Sequence, residues 1–264
     1  MKILLHIIIF TLLTVITQIG GIIYLTSILL IKKSAKRKNL KRIGIFTFLY
    51  FISTFLIVPN VAPFFGREKI KESENLKAHS LFYKIANRNY VQPELNKTIN
   101  QIAMEFEEQN SGIKMAYLDA NFPFIDKFPL LPHLSHNDGK KIDVTLIYQK
   151  QNGQLTNKKT SVSGYGVYEN PTENEIDQNE ICKSRGNWQY DFPKYLTFGT
   201  INNDIEFSKN GTRSLAKLIL KQNNVSKLFI EPHLKNRLNL TDKKVRFHGC
   251  QAVRHDDHIH FQLK

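Results

Sequence analysis

Acidic residues are missing from the first 64 positions of this 264-residue chain, although 23 occur in all. Cysteine is nearly absent, with only Cys182 and Cys250, and neither forms a Cys-x-x-Cys pair. That excludes a cysteine-built structural zinc site and leaves the two thiols either free or joined as a disulfide. No internal repeat or low-complexity tract is present, so solenoid and linker architectures do not apply.

What fills the acid-free segment is apolar. Residues Ile3 to Ile31 carry no Lys, Arg, Asp or Glu, and the run exceeds the roughly 20 residues that cross a bilayer as a helix. It is also too long for the core of a cleavable signal peptide. A second apolar run extends from Ile43 to Phe65, and the loop between them holds Lys32, Lys33, Lys36, Arg37, Lys38, Lys41 and Arg42. Short basic loops stay on the cytoplasmic side. Two transmembrane helices joined by a cytoplasmic hairpin are therefore expected, with the N-terminus and everything after Phe65 outside.

The formal charge of +14 is largely topological. The first 64 residues contribute 8 basic groups, leaving 29 basic against 23 acidic residues, or +6, for the remainder. No nucleic-acid partner is expected from so small an excess. The chain divides into a membrane anchor over 1–66, a helical juxtamembrane segment over 67–111 and a single domain over 112–264.

Within the exported part, Glu68 to Tyr90 reads as a helix from its Lys, Glu, Leu and Ala content. Pro93 opens a second, in which Leu95, Ile99, Ile102, Ala103 and Phe106 recur at helical spacing. Ile113–Leu118 and Ile142–Gln149 read as strands, and Gln151-Asn152-Gly153-Gln154 as a tight turn. Ser161 to Asp191 lacks periodicity and reads as a long excursion. Arg213–Gln222 is a helical pattern, and Val225–Glu231 and Asp257–Leu263 are strands. The fold class is α+β, a small antiparallel sheet with flanking helices.

Two clusters carry chemistry: His136-Asn137-Asp138-Gly139-Lys140-Lys141-Ile142-Asp143 and His255-Asp256-Asp257-His258-Ile259-His260. On a strand, His258 and His260 share one face while Ile259, Phe261 and Leu263 take the other. His136 and Asp143 bring a nitrogen and an oxygen donor across a turn that Gly139 permits. With His260 they supply three ligands and leave a fourth position for water, the pattern of a catalytic zinc.

At these residues the chain resembles the zinc peptidases that share a fold among lysostaphin-type endopeptidases, D-Ala-D-Ala carboxypeptidases and Sonic hedgehog, whose pattern is His-x6-Asp followed by His-x-His. His255, His258 and His260 match the terminal His-x-x-His-x-His of penicillin-insensitive murein endopeptidases. His136, Gly139 and Asp143 match the His-x-x-Gly-x-x-x-Asp part of the carboxypeptidase pattern. That pattern's serine position falls on Leu134.

The resemblance implies that His136, Asp143 and His260 bind zinc, that His258 acts as general base with His255 assisting, and that the substrate is a peptidoglycan peptide. It implies a bacterial inner or cytoplasmic membrane location with the catalytic domain on the periplasmic or extracellular side. Carboxypeptidase or dipeptidase activity on D-Ala-D-Ala ends, and a non-catalytic zinc-containing binding domain, are the alternatives. Asp257 occupies the place of the carboxypeptidase glutamate and is a rival base. His133, His233 and His248 fit no motif and read as surface or supporting residues. Asp138 and Asp256 read as turn formers. Trp188, Tyr190, Phe192 and Tyr195 read as core.

Overall fold

The computed structural model describes residues 2–32 and 36–264. Lys33, one of the basic loop residues, lies outside them. The first apolar run is not one helix. It forms α1 (Lys2–Thr17) and α2 (Gly20–Leu29), separated at Gln18, whose φ of 66° is left-handed. The chain folds back there, and the His6 ring meets the Tyr24 hydroxyl at 2.6 Å.

The glycines explain the close return: a Cβ on Gly21 would lie 1.9 Å from the Thr14 hydroxyl and 2.9 Å from the Phe10 ring. Small residues let helices approach in this way. Only the second run, Lys38–Phe65, is long and apolar enough to cross a membrane among the described residues. It comprises α3 (Lys38–Ile52), a π-helical turn (Ser53–Ile57), α4 (Val58–Val61) and a 3-10 turn (Ala62–Phe65). The expected pair of spanning helices is thus corrected to one long helix and a short helical hairpin.

Beyond Gly66 the chain is mixed α and β. Its strands are β1 (Glu68–Lys69), β2 (Leu76–Ala78), β3 (Tyr90–Val91), β4 (Met115–Tyr117), β5 (Lys141–Thr145), β6 (Tyr148–Lys150), β7 (Leu155–Thr156), β8 (Ile205–Phe207), β9 (Val225–Phe229), β10 (Val245–Arg246) and β11 (His258–Leu263). The helices are α5 (Leu81–Ile85), α6 (Pro93–Gln109), α7 (Gln178–Ser184), α8 (Lys209–Lys221) and α9 (Pro232–Arg237). The segment expected as a helix over 68–90 is mostly short strands and turns, with α5 its only helix. Tertiary pairing to β4 and β3 overrides its propensity.

The principal sheet runs β10-β9-β11-β5-β4-β2. Its middle is antiparallel, while β10 and β2 join parallel to their neighbours, so the sheet is mixed rather than wholly antiparallel. Strand alternation sends Ile142, Val144, Ile259, Phe261 and Leu263 to one face, where they pack with Leu95, Ile99 and Phe106 of α6 and Leu215 and Ile219 of α8. Burial of these side chains, at about 1.5–3 kcal/mol each, holds the helices on that face. The opposite face carries Asp143, His258 and His260.

A three-stranded sheet, β7-β6-β8, contains the Asn152-Gly153 turn, with Gly153 at φ 80°. The excursion after Ser161 reaches the face that carries Asp143, through Tyr165. Gly164 must be glycine there: φ is 93°, and a Cβ would fall 2.3 Å from the Leu118 side chain. Cys182 and Cys250 form a disulfide that closes 68 residues of chain. It ties α7 to the loop preceding β11.

Candidate metal centre

Register places the first two ligands. His260 of β11 sits directly opposite Asp143 of β5, on the face away from the helices. The loop before β5 supplies the third: His136 is fully buried, and its Nδ1–H donates to the Ala120 carbonyl at 2.7 Å. A carbonyl can only accept, so that proton is fixed on Nδ1 and Nε2 presents a lone pair inward.

Three donor atoms then converge. Asp143 Oδ1 lies 3.1 Å from His136 Nε2 and 2.9 Å from His260 Nδ1, and the two nitrogens are 2.9 Å apart. An ion with bonds of about 2.0–2.2 Å seats among donors at such spacing, and two nitrogens with one oxygen suit zinc. The three residues can hold a metal ion. Burial opposes ionisation of Asp143, but attraction to the imidazoles of His136, His258 and His133 in their protonated forms outweighs it and holds the carboxyl well below its usual range. Burial pushes His260 down to about 3, leaving it neutral. Ligation requires this combination of neutral imidazole and carboxylate.

The second carboxylate oxygen, Asp143 Oδ2, accepts from the Tyr165 hydroxyl at 2.7 Å, a partner delivered by the excursion. His258 stands 3.7 Å from the same oxygen through Nε2, which is buried without a hydrogen-bond partner among the described residues. Its Nδ1 contacts Asp257 Oδ1, while Asp257 Oδ2 accepts from the Gly166 amide at 2.6 Å. Both Asp257 oxygens are thereby engaged, one of them in holding the His258 ring.

Burial disfavours the imidazolium of His258, yet Asp143 and Asp257 reverse this and raise it to about 9. Positive charge placed at the neighbouring donors lowers the value again, towards the neutral form that a base needs.

His255 joins the cluster through ring contacts, 4.7 Å from His258 and 5.3 Å from His248, centroid to centroid. Burial and the neighbouring histidines keep it well below its usual pKa. Its amide donates to the buried Glu231 carboxylate at 2.9 Å. Asp256 is more than a turn former, being buried against Arg254. Asp138 is the turn former expected, accepting from the Lys140 amide at 2.9 Å.

His133 was not legible as a site residue. It is buried, with Nδ1 3.2 Å from Asp119 Oδ2 and 3.3 Å from Asp143 Oδ2. With Asp143 and His258 it forms a second grouping able to hold a metal ion. The looser distances make it the weaker of the two. Its position three residues before His136 was the available signal. His233 stays away from the donors, meeting the Glu169 carbonyl at 2.8 Å.

A cavity of about 810 Å³ adjoins this cluster and is lined in part by His133, Tyr165, His248 and His255. Trp188 and Phe192 line its wall, and Trp188 is 72 % exposed. Those two aromatics are cleft residues, contrary to their expected core placement. Tyr195 is likewise exposed, and only Tyr190 of the four is buried. No family model and no curated protein matches the chain.

Proposed function

We propose that this protein is a zinc-dependent peptidase of the cell envelope, anchored by its apolar N-terminal segment, and that it hydrolyses peptide bonds, those of peptidoglycan being the substrate its motifs suggest. The convergence of His136 Nε2, Asp143 Oδ1 and His260 Nδ1 within 3.1 Å of one another carries this reading. When bound there, zinc supplies an acidified water and polarises an amide carbonyl.

The chain's own groups would handle the proton. His258 Nε2 takes it from water as oxygen joins the carbonyl carbon, and gives it to the leaving amine as the C–N bond breaks. Asp257 keeps the imidazole in position through Nδ1, and Tyr165 holds Asp143 by its second oxygen. Amide and water become carboxylate and amine, with no covalent enzyme intermediate.

One observation favours a second reading. All three donors are buried to within 1 % of full coverage, as a purely structural ion would require. The unpartnered Nε2 of His258 and the adjoining cavity favour catalysis instead. Zinc analysis of the purified full chain with a muropeptide digest separates them. The expected result is about one zinc per chain and turnover. His260→Ala should lose both, whereas His258→Ala should keep zinc and lose roughly 10²–10⁴-fold in rate. Zinc retained in His260→Ala would refute the ligand set, and bound zinc with no hydrolysis of muropeptides or of apolar peptides would leave only the binding domain.

A further inference from the structure

The cleft above the metal centre is built for something greasy. Phe82, Leu131, Leu134, Phe192, Phe198 and Val253 line it. Among the described residues lining it, Arg88 is the only lysine or arginine, and it is already committed. Its guanidinium lies 2.6 Å from Asp119 Oδ1 and donates to Asp119 Oδ2 at 2.7 Å and to the Leu131 carbonyl at 2.6 Å. Among the described lining residues no free lysine or arginine therefore awaits a carboxylate, although a peptide bearing several acidic side chains needs such partners when desolvated.

The membrane segment contributes to the same cleft. Ile16, at the end of α1, lines the cavity. Two residues on, Gln18 Oε1 accepts from the Phe124 amide at 3.0 Å, and Ile19 packs with Val58, Ala62 and Tyr90. The turn of the helical hairpin is thus joined to the rest of the chain next to a residue that lines the cleft. Of the lining residues, Leu131, Leu134, Trp188 and Phe198 are more than half exposed. Aromatic and aliphatic groups at such a level suit the interfacial region of a bilayer.

We propose that the substrate is a membrane-associated peptide with apolar side chains flanking the scissile bond, entering the cleft from the bilayer surface along the hairpin turn. This rests on the peptidase reading and, within it, replaces the peptidoglycan substrate that the motifs suggest with a membrane-associated peptide. Apolar side chains displace water from the lining, which is where binding energy is available; the polar, anionic stem peptides of polymerised wall find no complementary charge.

The test uses the full chain loaded with zinc in phospholipid liposomes. One substrate is an N-palmitoylated peptide set with Leu, Phe or Val flanking each bond; the other is a soluble muropeptide mixture. The expected kcat/KM is at least about tenfold higher for the palmitoylated peptides. Leu134→Ser and Phe198→Ser, both at exposed positions, should raise KM for them about tenfold while zinc content stays unchanged. Muropeptides cut equally well or better, or rim variants without effect on KM, would overturn the substrate assignment and leave the peptidase standing. Zinc bound with neither substrate cut would defeat the peptidase reading itself, and the assignment with it.

Discussion

His79 shows how a single buried imidazole couples this fold to pH. It lies just after β2, almost fully covered, where its Nε2–H donates to the Ser161 carbonyl at 2.9 Å and fixes the start of the excursion. Burial lowers its pKa to about 4, against an ordinary value of 6.5. The unfolded chain therefore binds the extra proton first. The contribution is complete above pH 6.5 and is lost as pH falls towards 4, by roughly 2–3 kcal/mol at the limit. Denaturant melts of wild type and His79→Gln across that range should show the wild type losing stability more steeply; parallel curves would remove His79 as the cause.

The same scale shows what could be read in advance. That His136, Asp143 and His260 lie together was expected from the motif resemblance, while strand alternation alone placed His258 and His260 on one face without choosing between them. His133 and Tyr165 were not legible, since their roles depend on where a loop and an excursion come to rest against Asp143. The engagement of both Asp257 oxygens was equally hidden, because one of its partners, the Gly166 amide, is 91 residues away.

Among the elements, the disulfide has the clearest energetic role. Cys182 in α7 and Cys250 near the turn before β11 join two walls of the cleft, and their 68-residue separation implies roughly 2–4 kcal/mol of stabilisation. The pairing accords with an oxidising compartment. Cys182→Ala with Cys250→Ala should lower the denaturant midpoint accordingly while zinc stays bound, since no ligand lies on α7. Equal midpoints would mean that packing alone fixes that wall.

Elements with strong periodicity were legible: α6, α8, β9 and β11 lie where their apolar spacing placed them. The segment over 68–90 was misread because its composition favours a helix, whereas its partners β4 and β3 favour strand. The aromatics near Trp188 were misread because spacing cannot tell a cleft wall from a core.

For the molecule as a whole, the helical hairpin changes the membrane count. The α1 helix is 16 residues, about 24 Å long, and the turn that follows it is held beside Phe124 at the domain end. Its Lys2 end then lies at the opposite end, with the basic loop. If the short basic loop is cytoplasmic, as its charge predicts, Lys2 and Lys41 share the inner side and the domain after Gly66 is expected outside. The expectation of an outer N-terminus came from counting one long apolar run as one crossing; a pattern of hydropathy does not register a turn at Gln18. Single cysteines at positions 2, 41 and 158, probed with an impermeant maleimide on intact cells, should label only at 158. Labelling at position 2 would rule out the hairpin arrangement.

The pairing of His260 with Asp143 has a consequence for how this protein can change. Because one strand supplies both the ligand and the apolar side chains Ile259 and Phe261, inserting a single residue just before it would rotate every side chain by half a turn. Phenylalanine would then point among the donors and imidazole into the oil. Folding and chemistry share one register here, so neither can drift in evolution without the other.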